Sequence, residues 1–195
     1  MQLPNLIFSA VILFGSSIAM AFEKEVIART GVIVGAYETK VNKGTFSAPT
    51  VFEGEFQFIA DPKMAWSFRG TLAMDTGNSR SRYLYAGAGQ RYFFGAAANP
   101  VESTYGGDFI SIKPKHQFYG GWDAGVGQVL IVEFGDLIGT YATCVEMGMV
   151  AGYKYRWDKQ FSMEASFGYN YGLSIITISA ATQVIRGLFG FTYLF

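Results

Sequence analysis

Tyr141-Ala142-Thr143-Cys144-Val145-Glu146-Met147-Gly148-Met149-Val150-Ala151-Gly152-Tyr153-Lys154-Tyr155-Arg156-Trp157 alternates with period two. Its odd positions are Tyr141, Thr143, Val145, Met147, Met149, Ala151, Tyr153, Tyr155 and Trp157; its even ones include Cys144, Glu146, Gly148, Gly152, Lys154 and Arg156. A period of two is the signature of a strand. The apolar face is large and ends in Tyr and Trp, while the opposite face is small, glycine-rich and charged. A soluble barrel would put its bulky apolar residues inside. Here the tight face is polar and the wide face greasy, as in a barrel that spans a membrane.

The same alternation recurs along the chain. In 51–60, Phe52, Gly54, Phe56, Phe58 and Ala60 oppose Glu53, Glu55, Gln57 and Ile59. In 64–75, Met64, Trp66, Phe68, Leu72 and Met74 oppose Ser67, Arg69, Thr71 and Asp75. Phe161, Met163, Ala165, Phe167, Tyr169 and Tyr171 oppose Ser162, Glu164, Ser166, Gly168 and Asn170. Eight such segments are expected, at 25–37, 51–60, 64–75, 82–94, 118–134, 140–157, 160–171 and 183–195. Each can supply the roughly 9–11 residues of a tilted membrane strand. The fold class is all-β, a transmembrane antiparallel up-and-down barrel. An even strand number puts both termini in the periplasm. Turns at Asp61-Pro62-Lys63, 95–117 and Asp158-Lys159-Gln160 then face the periplasm, and loops 38–50, 76–81, 135–139 and 172–182 face outward. The stretch 95–117 is too long for a turn and raises ten strands as the alternative.

Bulk composition agrees. Of 195 residues, 50% are hydrophobic and 17% aromatic, but only 15% are charged, against about 25% in soluble domains. After the N-terminus no apolar run approaches the roughly 18 residues that a spanning helix needs. The first residues read as a secretory signal: an apolar run from Leu6, then Ser16-Ser17 and the small-x-small triplet Ala19-Met20-Ala21. The expected domains are therefore a signal peptide, 1–21, and a barrel, 22–195. The lone Cys144 excludes an internal disulfide, and a formal net charge of zero gives no reason to expect nucleic acid.

The chain ends Gly187-Leu188-Phe189-Gly190-Phe191-Thr192-Tyr193-Leu194-Phe195. The alternating aromatics Phe191, Tyr193 and terminal Phe195 are similar to the signal by which outer-membrane barrels are recognised by their assembly machinery. In size and strand count the mature chain resembles the small eight-stranded outer-membrane barrels exemplified by outer membrane protein A and outer membrane protein X. That resemblance implies residence in the outer membrane of a Gram-negative bacterium. The partners it implies are lipopolysaccharide and phospholipid, the assembly machinery at the last strand, and a surface ligand at the outer loops. Some barrels of this kind are enzymes of lipid A or proteases, and these need His with Ser or carboxylates. The one histidine, His116, is followed by Gln117 and Phe118, so no catalytic set is expected. No cofactor or metal cluster is visible either.

What remains is the polar face. The charges assigned to the lumen are Glu53, Glu55, Arg69, Asp123, Glu146, Lys154, Glu164 and Arg186, together with Glu25, Arg29, Asp75, Arg91, Glu133 and Arg156. An eight-stranded lumen is only wide enough for side chains to fill, and sealed charges must pair. The expected function is a structural or surface-contact barrel with a charge-plugged lumen, not an enzyme; the alternative is a small porin or gated channel. Turn geometry supplies the register: Asp61-Pro62-Lys63 sets Ala60 opposite Met64 and Glu55 opposite Arg69, and Asp158-Lys159-Gln160 sets Lys154 opposite Glu164. Both are expected as ion pairs. Gly87, Gly89, Gly125, Gly127, Gly148 and Gly152 fit inward positions where space is short.

Overall fold

The computed structural model describes residues 23–40, 43–61, 63–75, 81–94, 101–105, 108–112, 114–132, 139–158, 160–174 and 180–195. The expected signal peptide and Glu133 lie outside them. Strands β1 (Glu23–Thr39), β2 (Lys43–Asp61), β3 (Met64–Met74), β4 (Ser81–Phe94), β7 (His116–Val132), β8 (Gly139–Arg156), β9 (Phe161–Ser174) and β10 (Ala180–Leu194) pair antiparallel in one closed ring. Strands β5 (Val101–Tyr105) and β6 (Asp108–Ile112) form a separate two-stranded ribbon between β4 and β7. The barrel therefore has eight strands, and the long turn holds a hairpin of its own. β7 begins at His116, so no part of 109–112 extends it.

Closure fixes the tilt. Paired positions followed once around run Ile27, Glu55, Arg69, Gly87, Gly125, Glu146, Gly172, Thr182 and back to β1 at Tyr37. The return is displaced from residue 27 to residue 37, a stagger of 37 − 27 = 10 residues. Such a stagger on eight strands tilts them about 40° from the barrel axis. Residues paired across neighbouring strands therefore sit at different depths.

Strands outrun the expected loops. β2 begins at Lys43, so most of 38–50 is sheet, and β9 and β10 take both ends of 172–182. Three register shifts relieve the long strands. One leaves Pro49 and Thr50 opposite the single residue Val32, where a missing proline N–H does least harm to the ladder. Another corrects the β2–β3 turn: Asp61, not Ala60, faces Met64, and Ala60 becomes the extra residue. The Asp61 carboxylate accepts the Lys63 N–H at 2.8 Å, closing that turn. Beyond the bulge the expected register holds, with Phe58 opposite Trp66 and Phe56 opposite Phe68.

Burial alternates along most of each barrel strand, with the charges of the network inside; on β7, Val129, Leu130 and Ile131 are buried in succession. Outside, Met149 is 75% and Met147 65% exposed, with Phe52, Phe68, Val126 and Phe167 also bare. Aromatic rings gather at the end where β1 starts and β10 finishes: Trp157 stacks on Phe161 with centroids 6.4 Å apart, and Phe161, Tyr193 and Phe195 continue the row. Among the described residues no helix is long and apolar enough to cross a membrane.

The lumen is not polar throughout, which corrects the expected small and charged inner face. Charges fill the half nearer the start of β1 and the end of β10. The far half is an apolar cluster of Ile33, Tyr37, Phe46, Ala48, Val51, Ala73, Tyr83, Val129, Ile131, Ala142, Cys144 and Val184. Cys144 is a filler within it. This cap escapes the sequence pattern because inward Val and Ile carry the same composition as outward ones.

Candidate functional site: the filled lumen

Arg29 is the hub. Its guanidinium meets Glu53 at 2.7 Å, Glu55 at 2.6 Å and the carboxylate of Glu164. Register explains the set: Glu53 is the direct β2 partner of Arg29, and Gly190 is its β10 partner, with Glu164 next beyond. Because Gly190 has no side chain, Arg29 can lie across β10 to reach β9; a Cβ at Gly190 would collide with it. Gly168 serves Arg186 in the same way.

Above the hub, Arg69 binds Glu53 at 3.0 Å and Asp123 at 2.6 Å, its guanidinium lying 4.0 Å from the centre of the Tyr85 ring. Asp123 also accepts the Tyr85 hydroxyl at 2.9 Å and faces Arg186 at 3.3 Å and Arg91 at 3.6 Å. Arg91 reaches Glu55 at 3.1 Å. Gln57 donates to Glu55 at 2.7 Å, Thr71 donates to Glu53 at 2.8 Å, and the Tyr119 hydroxyl donates to Glu164. Nearest the start of β1, Lys154 binds Glu25 at 2.5 Å and lies 4.0 Å from Glu164, while Arg156 reaches Glu25 at 3.5 Å. These members, Arg156 excepted, are at least 95% buried.

Glu55 does sit opposite Arg69, and Lys154 opposite Glu164. Only the second makes contact, at the limit of an ion pair; Glu55 turns to Arg29 and Arg91, and Arg69 to Glu53 and Asp123. The tilt explains the exchange, since it places acids of neighbouring rows level with each guanidinium. Glu146 lies apart: its carboxylate accepts Tyr83 at 2.6 Å and Asn170 at 3.2 Å, and no ion pair among the described residues reaches it. Asp75 is not in the network; it pairs with Arg82 at 2.7 Å, both about a quarter exposed, where β3 ends and β4 begins. The tyrosines Tyr83, Tyr85 and Tyr119 escaped the sequence reading. Their odd numbering, shared with Arg91 and Asp123 on β4 and β7, was the available signal.

His116 opens β7 on the outer side, its Nδ1 2.6 Å from the Tyr153 hydroxyl and its ring 5.2 Å from that of Tyr155. Phe191, Tyr193 and Phe195 are exposed on the outside of the last strand. The Phe195 N–H and carbonyl both bond to Lys24 of β1, at 2.9 and 3.2 Å, which closes the seam.

No protein-family model matches the chain, and no curated protein matches it. Solved structures do. Neisserial surface protein A (NspA) superimposes with a TM-score of 0.55 at 12% identity, over 89% of this chain and 97% of that one. The N-terminal β-barrel domain of Pseudomonas aeruginosa OprF gives 0.51 at 13% identity, with the same coverage of 89% and 97%. The outer membrane protein OprG of the same organism gives 0.48 at 11%, over 88% and 95%. With the closed ring of eight strands, the likeness to NspA and to the OprF barrel shows the fold of the small eight-stranded outer-membrane barrels.

Proposed function

We propose that the chain is an integral outer-membrane barrel of structural and surface-contact type, with a lumen that is a plug and no chemistry of its own. The observation that carries this reading is the filled interior. Five cations and five carboxylates interlock in one half (Arg29, Arg69, Arg91, Lys154 and Arg186 with Glu25, Glu53, Glu55, Asp123 and Glu164), and an apolar cap fills the other. Moving an ion past them would require breaking several buried pairs at once, each costing several kcal/mol. The inverted apolar surface supports lipid as its solvent, with phospholipid and lipopolysaccharide as neighbours. The start of β1 and the end of β10 lie at one end, which supports a periplasmic face there and contact loops at the far end. Phe191, Tyr193 and Phe195 present the aromatic edge that the assembly machinery would read. A non-enzymatic role is supported by the position of His116, whose partner is Tyr153 on the outer wall and not a carboxylate.

The test is conductance in planar bilayers. The reconstituted protein is expected to give no steady channel above background. Stable unitary steps would make it a small porin instead.

A further inference from the structure

We propose that His116 binds the phosphodiester of a phospholipid, in the leaflet at the end where β1 starts, with Tyr153 orienting its ring. This rests on the membrane residence proposed above and adds a headgroup site to it. His116 is an exposed polar ring on the wall that otherwise faces lipid. The next outward residue of β7, Phe118, is 59% exposed and sits between Phe94 of β4 and Tyr153 of β8. Hydrocarbon offers an imidazole N–H no partner, so the ring belongs at the depth where acceptors begin.

The ladder puts it there. β7 begins at His116, opposite Tyr155, and the next outward residue of β8 is Trp157, whose ring belongs to the aromatic row. Tyr and Trp rings of membrane barrels gather at headgroup level. On the apolar side of His116 lies Phe118; on the other lies exposed Lys115, its carbonyl accepting the Arg156 N–H at 2.8 Å. His116 therefore marks the boundary of the greasy wall.

The ring is also held. Its Nδ1 is 2.6 Å from the Tyr153 hydroxyl, and the Tyr155 ring packs 5.2 Å from it. A phenol O–H is a better donor than its oxygen is an acceptor, so Tyr153 donates to Nδ1 and the ring proton sits on Nε2. An N–H donor is thereby presented on the side of the ring away from Tyr153. The acceptor that lipid supplies at this depth is the phosphodiester, and Lys115 brings a positive charge to the same rim.

His116 is the only histidine, so an isotope label on histidine reports on it alone. In solid-state NMR of the protein in phosphatidylethanolamine–phosphatidylglycerol bilayers, recoupling to lipid phosphorus is expected to dephase an imidazole nitrogen. Tyr153→Phe should lose most of that dephasing, because the freed ring turns. In phosphorus-free maltoside micelles with inorganic phosphate added, none is expected. An imidazole that is not dephased in bilayers, dephasing undiminished in Tyr153→Phe, or equal dephasing by inorganic phosphate would overturn the proposal. Contact between the Met149 methyl and the acyl chains, read in the same bilayers, separates the two readings. If that contact is present without phosphate at His116, the headgroup site fails and membrane residence stands; if it is absent, both fail.

Discussion

Arg29 gathers three carboxylates around one guanidinium, so its loss takes a partner from each of three buried acids. Arg29→Met is expected to cost about 3–5 kcal/mol in urea unfolding from lipid vesicles; a cost under about 1 kcal/mol would mean that water enters and solvates the acids. A double-mutant cycle separates register from contact. Arg69 with Asp123 should show a coupling of about 0.5–3 kcal/mol, and Arg69 with Glu55, its register partner, much less. The face of each charged residue in the network was legible from its parity, and the opposite numbers of Glu55 and Lys154 from the turns. Its true partner was not, because a guanidinium reaches across a glycine to the next strand but one. Space explains a further cost: Gly168→Ala would drive a methyl into Arg186 and should lose about 1–3 kcal/mol in the same assay.

At the scale of elements, the β5–β6 ribbon pairs only with itself and the barrel closes through β4 and β7 without it. Replacing 95–113 with a short turn should leave a barrel that still migrates differently in SDS before and after boiling. Identical mobility would show that the ribbon is needed for closure. The last strand carries the opposite expectation. Deleting Phe195 removes both backbone bonds to Lys24 and the outermost ring of the aromatic row. The amount assembled in the outer membrane should fall while export to the periplasm continues, as read by fractionation. Element ends were the least legible feature of the sequence. β1 and β2 run on past the apolar alternation because ladder hydrogen bonds continue wherever two strands stay adjacent, whatever their side chains.

For the whole molecule, the inside-out arrangement makes the outer surface intolerant of charge. Met149→Arg, on a wall position 75% exposed, should destabilise the barrel in bilayers by about 2–4 kcal/mol. In a soluble barrel the same change at an exposed site would be nearly neutral, so the measurement tests membrane residence directly. The sequence by itself determined which side chains face out and which face in, since alternation is a local property of an extended chain. It also determined the register of two hairpins, because a short turn leaves little freedom. Only the tertiary structure decided the ten-residue stagger, which depends on β10 meeting β1 across the whole chain. That stagger sets depth, and depth decides which acid meets which arginine. It brings Arg29 to Glu164, 135 residues away, and leaves Glu146 to Tyr83 and Asn170 beneath the apolar cap.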